Sequence, residues 1–294
     1  MRALAVQGPC TRGEQGAALI IVLWLVVLLT LLATTISAVS VSHRRAAASY
    51  ATAVENQEAM DSAIRISLLE IIGASEHQRV PVVSSTSLSL LDKSLSIVIE
   101  KESGRIDLNA ASEDLLFAAF AANGWQESDA KQMAARIIDW RSNNELTSSG
   151  ASTAFDNSPQ SYSPRHGPFE TVDEIRQVIG GEKISPSLLQ AFTVYTHGEL
   201  PSIDSAAAPV VSALQWAESQ QLSGRHWLDS PMEESSPVLV STNAIHTVEI
   251  GEILRIRACV AKPVESGCRI AVVRLTGDER KPLQIFLWQF IPNT

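Results

Sequence analysis

From Ala17 to Val41 the chain carries no charged residue, and with Gly16 in front the stretch reads GAALIIVLWLVVLLTLLATTISAVSV. About 20 apolar residues in a helix cross a bilayer core of ~30 Å, so a run of roughly 25 spans it with some tilt. A helix apolar on every face for that long is out of place in a soluble core, which needs only one apolar stripe. The run therefore predicts a membrane tether over residues 17–42, with the rest of the chain displayed from it. Flanking charges do not orient it, because Arg2 and Arg12 precede the run while Arg44 and Arg45 follow it. A secretory signal is the competing reading, with Ala38-Val39-Ser40 as a small-x-small cleavage site. Its apolar part, however, would be only ~7–15 residues long.

Helical character continues past the apolar run. No Gly or Pro occurs from Ser42 to Ile72, and Tyr50, Ala53, Val54, Met60, Ile64, Leu68 and Ile71 recur at three- and four-residue steps. Gly73 offers a stop. One helix from Ala17 to Ile72 would be about 84 Å long at ~1.5 Å per residue. Its second half would lay an apolar stripe on a folded body, residues 43–104 in its first part. Strand signals follow at Ser87–Leu91 and Ser94–Lys101 around Asp92-Lys93, which makes the unit α+β.

Residues 105–198 read as a separate helical segment. Ser112 precedes Glu113 and Asp114, and Gly124 ends that element. Ser128 is placed to cap the next helix, whose buried stripe would be Ala130, Met133, Ile137 and Ile138. Thr171 and Glu174 make a capping box, and Ser185-Pro186 an N-cap with proline in the first helical position. A weak echo links Ile106-Asp107 before Ala110-Ala111 with Ile203-Asp204 before Ala207-Ala208, the second leading into a helix with Val211, Leu214 and Trp216. Residues 199–294 return to strand text: PVLVS from Pro237, then HTVEIGEILRIRACVAK, CRIAVVRLTG and PLQIFLWQF, with Gly267 and Gly277 at the turns.

Charge and chemistry narrow the function. The chain has a net charge of −9, and between Arg105 and Gly198 seven Lys/Arg face twelve Asp/Glu. Such a balance argues against holding phosphate backbones, which takes clustered Lys and Arg. There is no nucleophile elbow, P-loop, HExxH or dinucleotide fingerprint, and the six histidines, including His166 in a polar loop, are dispersed. Asp107 and Asp139 are the one carboxylate pair worth naming; helix capping and hydration account for both, and the expectation is that the chain is not an enzyme. Of the three cysteines, Cys10 precedes the apolar run while Cys259 and Cys268 lie close together. Either a disulfide, implying an oxidising compartment, or two small buried thiols fits that pair.

Two family resemblances attach to these residues. The text Asn109, Ala111, Leu115, Gly124, Ala134, Ile137, Ile138, Arg141, Gly167-Pro168-Phe169, Ile175 and Gly180 is similar to helix-hairpin-helix DNA-binding modules. On that likeness the chain would be a membrane-tethered DNA-binding protein of competence type, although neither Asn123-Gly124-Trp125-Gln126 nor Gly180-Gly181-Glu182 brings the basic residues such a turn needs. The second resemblance runs nearly the full length in order. A short polar leader ending in Gly before an apolar helix resembles the signal of type IV pilins and type II secretion pseudopilins. Ser103 to Ala111, Ile138-Asp139-Trp140-Arg141, Gly167-Pro168-Phe169, Thr193-Val194-Tyr195 and Ala271 to Asp278 resemble the minor pseudopilin of the K type.

That resemblance implies a pilin-like long N-terminal helix packed on an antiparallel sheet, with an inserted all-α, helix-hairpin-helix-like domain. It implies a prepilin leader, residues 1–16, cut by prepilin peptidase after Gly16, with methylation of Ala17. Mature position five, usually Glu, is Ile21 here, as the K type characteristically has it. The body would stand in the periplasm on a single pass through the inner membrane. The role would be minor pseudopilin at the tip of the type II secretion pseudopilus, initiating assembly and aiding export of folded proteins across the outer membrane. Partners would be the I- and J-type minor pseudopilins, with secreted substrate or the outer-membrane channel as further contacts. The family likeness extends to calcium near the polar loop, where Asp139, Asn143, Glu145 and Asp156 are the oxygen ligands on offer. A solvated loop fits that text as well, since EF-hand spacing is absent.

Overall fold

A computed structural model describes residues 14–73, 84–90, 92–142, 165–222, 227, 248–261 and 267–292; within the first of these, side chains are described from Leu19 to Thr35 and from His43 onward. The chain divides into two units, 1–56 and 57–294.

The first unit is the leading part of helix α1, Glu14–Gly73. Every described large apolar side chain from Leu19 to Leu32 is exposed, from 44 % at Val27 to 71 % at Leu19. Among the described residues no helix is long and apolar enough to cross a membrane. Thr30, Thr34 and Thr35 turn their hydroxyls back onto carbonyls three residues earlier, which satisfies them within the helix. Tyr50, Ala53 and Val54, expected in the buried stripe, are exposed instead.

In the second unit the stripe of α1 starts at Ala59 and continues through Met60, Ala63, Ile64, Leu68 and Ile71, all buried. It lies on a five-stranded antiparallel sheet built from β1 (Ser84–Leu90), β2 (Lys93–Lys101), β5 (Ile253–Val260), β6 (Cys268–Leu275) and β7 (Leu283–Ile291), in the order β1-β2-β5-β6-β7. Strict alternation decides which side chains meet the helix. Leu95, Ile97 and Ile99 of β2, Leu254, Ile256 and Ala258 of β5, and Ala271 and Val273 of β6 form that core. Each fully buried side chain of the size of Ile64 or Leu95 contributes about 1.5–3 kcal/mol. The β1–β2 turn uses Asp92 at φ 58°, a left-handed position that Asp tolerates.

Between β2 and β5 in the chain lies a second core. Its elements are β3 (Ile106–Asp107), α2 (Glu113–Ala122), α3 (Glu127–Arg141), the one-turn α4 (Pro186–Leu189), β4 (Phe192–Thr193) and α5 (Ala208–Ser219), with β3 and β4 paired in parallel. Phe120 sits near its centre, with ring centroids 5.1 Å from Trp125 and 5.7 Å from Phe192. Ser112 caps α2, accepting from Leu115 N at 3.3 Å, and Ser185 caps α4 in the same way.

Local readings fail in places. Helix α3 begins one residue before Ser128, after Gln126, so Ser128 lies inside the first turn. The Thr171–Glu174 capping box opens a 3₁₀ segment, Val172–Gln177, rather than an α-helix. The helical core also runs past residue 198: Val210, Ala213, Leu214 and Ala217 of α5 and then Trp227 belong to it. In that helix Val211 and Trp216 are half-buried, Trp216 meeting Phe117 edge-on at 5.1 Å. The expected PVLVS strand lies outside the described residues.

Candidate functional site

Where the helical layer leaves the sheet, a chain of charged groups is buried. Glu102 follows β2 directly and is fully enclosed. Arg255 reaches it from β5 with two parallel hydrogen bonds, Nη2 to Oε1 at 2.6 Å and Nε to Oε2 at 2.8 Å. Thr193 Oγ1 of β4 donates to the same carboxylate at 2.6 Å. Arg105 places Nε 3.6 Å from Glu102 and bonds Glu100 through Nη2 at 2.5 Å. Burial alone would raise the Glu102 pKa; the charge of Arg255 and its hydrogen bonds outweigh that and hold it below its ordinary value. Burial and the neighbouring charge of Arg255 lower Arg105, whereas Arg255 is raised, the Glu102 partner overcoming its own burial. This arrangement joins sheet and helical layer without leaving the acid uncompensated.

The residues that carry both family resemblances are pins of the same layer. Asp107 Oδ2 accepts from Thr196 N, Thr196 Oγ1 and His197 N at 2.8–3.0 Å, while Oδ1 accepts from Asn109 N at 2.8 Å. These bonds hold His197 in a left-handed conformation, φ 53°. Asn109 clamps Phe169 through both main-chain groups, at 2.7 and 2.9 Å. Arg141 donates to the carbonyls of Leu108 and Ala111, both at 2.6 Å. All four oxygen contacts of Asp107 are therefore structural. Asp139 is 7 % exposed, and its Oδ2 has no hydrogen-bond partner among the described residues.

The turn at Gly180, φ 92°, is closed against itself, with Gly180 N donating to the Glu182 carboxylate at 3.0 Å. An acid occupies the amide that a phosphate would need, and nothing here supports the DNA-binding alternative. Among the described residues no group of three or more His, Cys, Asp or Glu could hold a metal ion. Of the candidate calcium ligands only Asp139 is described; Asn143, Glu145 and Asp156 lie outside those residues. His166 is half-buried, with Nδ1 shielded and unpaired among the described residues, rather than solvated. Cys259 and Cys268 face each other across β5 and β6 and are joined by a disulfide.

Gly16 and Ala17 lie in the first turns of α1, and Ile21 is 65 % exposed. Cys10 lies outside the described residues. A second apolar surface borders the edge strand β7: Leu68, Leu69, Ile72, Leu283, Ile285 and Trp288 line a groove of about 560 Å³, with Leu69 68 % and Ile285 56 % exposed. Nearby, Asp61 of α1 binds Arg269 Nε at 2.6 Å and Trp288 Nε1 at 2.8 Å, which fixes β7 against the helix.

Neither the Glu102–Arg255 pair nor the β7 groove is marked by a local motif in the sequence. The one legible signal for the pair was the run of arginines at alternate positions 255 and 257 of an otherwise apolar strand.

No protein-family profile matches the chain. No curated protein matches it in sequence. Among solved structures, a chain of the GspK-GspI-GspJ complex of the type 2 secretion system of enterotoxigenic Escherichia coli is similar with a TM-score of 0.55 and 12% identity, over 85% of this chain and 100% of that one. At this identity the likeness is one of fold, and the fold is pseudopilin-like: α+β, a long N-terminal helix on an antiparallel sheet.

Proposed function

We propose that this chain is a K-type minor pseudopilin that caps a type II secretion pseudopilus, nucleates its assembly and aids export of folded proteins across the outer membrane. The observation that carries the reading is the leading part of α1, apolar and exposed on all sides from Leu19 to Leu32. Such a surface has to be covered by lipid or by other helices. In a pilus it exchanges one cover for the other. Ile21 adds polarity to the argument: with no carboxylate at mature position five, the subunit cannot neutralise the amine of a neighbour above it, and a subunit at the tip has none. The helical layer between β2 and β5 is the second support, since added bulk is tolerated at the end of a filament.

On this reading residues 1–16 are a prepilin leader, Ala17 is the methylated mature terminus, and the body stands in the periplasm, where a Cys259–Cys268 disulfide persists. The groove beside β7 receives a neighbouring minor pseudopilin of the I or J type, the fold neighbour being itself a chain of such a complex. The chain performs no catalysis. Mass spectrometry of the protein purified from membranes tests the assignment. A methylated Ala17 terminus is the expected result; an intact Met1, or a start beyond residue 38, overturns it.

A further inference from the structure

The sheet has two faces, and α1 covers only one. On the other, β5 presents Arg255 and Arg257, β6 presents Ile270, and β7 presents Leu287 and Gln289. The helical layer covers part of that face, with Tyr195 stacked on Phe286 at 5.5 Å. Between the two lies a cavity of about 540 Å³, within the size range of sites that enclose small ligands or a few residues of a peptide.

Three observations define what it would take. Four arginines line the cavity, Arg105, Arg176, Arg255 and Arg257, against two acids, Glu100 and Asp173. Even with Glu102 counted behind them the balance is positive, in a chain whose net charge is −9. Two of these arginines have donors to spare. The Arg257 side chain makes no hydrogen bond or ion pair among the described residues, and Arg105, 8 % exposed, leaves Nη1 without a hydrogen-bond acceptor and Nε with only the 3.6 Å ion pair to Glu102. The remaining wall is largely apolar, with Leu189, Leu287 and Phe290.

The third observation is geometric. The cavity is lined by the consecutive residues Gln289, Phe290, Ile291 and Pro292, and successive side chains of a strand point to opposite faces. The wall at this end is therefore shared by the main chain of β7, which among the described residues is the last strand of the sheet. An edge strand leaves main-chain donors and acceptors open to an added strand. A phosphate or a lipid headgroup would use the arginines but neither the apolar wall nor that edge.

We propose that this cavity binds an extended peptide segment of a partner protein, one that presents a carboxylate between apolar side chains. The carboxylate pairs with Arg257, within reach of Arg105 and Arg255; the flanking side chains lie on Leu189, Leu287 and Phe290, and the peptide backbone runs along β7. The inference stands without the secretion reading.

The test uses the full chain in detergent micelles and three blocked, fluorescein-labelled peptides, Val-Leu-Xaa-Phe-Val with Xaa as Glu, Gln or Lys, titrated by anisotropy. The Glu peptide should bind saturably and the Gln peptide about tenfold more weakly, as for loss of one charged pair at an interface. Arg257→Gln should weaken the Glu peptide by a similar factor. Gln289→Glu should weaken the Glu peptide but not the Lys peptide, a change of preference that misfolding does not produce. Arg280→Gln, on an exposed turn away from the cavity, should change nothing. No saturable binding up to millimolar peptide, equal binding of the Glu and Gln peptides, or displacement by inorganic phosphate or phosphatidylglycerol vesicles at lower concentration than by the Glu peptide would each overturn the proposal.

Discussion

Glu102 and Arg255 are joined by two hydrogen bonds, 2.6 and 2.8 Å, across 153 residues of chain. The carboxylate has no exposure to water. The bond ties the start of the helical layer to the middle of the sheet, so its loss should be felt by both. Glu102→Gln leaves Arg255, with Arg105 beside it, facing an uncharged amide in a buried site, and should lower unfolding stability by about 3–5 kcal/mol in urea melts. The pH profile supplies a second readout. Because the folded pKa of Glu102 lies below its ordinary value of 4.5, the pair's contribution is complete above that pH and is lost as pH falls through the lowered folded value. The wild type should therefore lose stability on acidification below about 4.5 more steeply than Glu102→Gln.

Asn109→Ala removes both bonds to the main chain of Phe169. Leaving that buried N–H and C=O unpaired should cost about 1–3 kcal/mol. Hydrogen exchange at the Phe169 amide should accelerate while amides in β5 and β6 keep their protection.

Gly104 packs directly against the turn at Ile203–Ser205. A Cβ there would stand 2.1 Å from the carbonyl oxygen of Ser205, a backbone atom that cannot swing aside. Gly104→Ala should therefore destabilise by about 1–3 kcal/mol through forced backbone shifts. At Gly73 an added Cβ meets nothing within 4 Å, so Gly73→Ala should be neutral or stabilise by up to about 1 kcal/mol. Thermal melts of the two variants side by side check the contrast.

The disulfide closes a short loop, with a sequence separation of 9. Replacing Cys259 and Cys268 together with serine should cost about 2–3 kcal/mol by loop-closure entropy. The same loss should follow treatment of the wild type with a thiol reductant, and reductant should leave the double variant unchanged.

If the groove beside β7 receives a neighbouring subunit, Leu69→Asp and Ile285→Asp should abolish co-purification with I- and J-type minor pseudopilins. Both side chains are largely exposed, so the stability of the isolated chain should stay within about 0.5 kcal/mol of wild type. Retained co-purification by both variants would assign the contact elsewhere.

Much of the fold was written in short-range pattern. Alternation in β5 placed Leu254, Ile256 and Ala258 opposite Arg255 and Arg257, and Ser112 and Ser185 marked helix starts, because pleat and cap geometry act over two to four residues. The α1 stripe was legible only where a sheet lies under it: Met60 and Ile64 are buried, while Tyr50 and Val54, at the same helical spacing, are exposed. Periodicity states that a face exists and says nothing of what covers it. The reach of the helical core beyond residue 198 was hidden for a like reason, since α5 belongs to it through packing on α2 and not through any local mark.

The sequence by itself determined that a long uncharged helix precedes an α+β body, that β-strands enclose a helical segment, and that the segment's balance is acidic. These follow from charge and periodicity along the chain, which need no partner to be read. Only the tertiary structure decided that Asp107, Asn109 and Arg141 pin the helical layer, that Glu102 meets Arg255, and that arginines gather around a cavity on the face of the sheet that α1 leaves free. Each of those joins residues far apart in the chain, and their meeting is set by how sheet and helices pack, a property no local stretch contains.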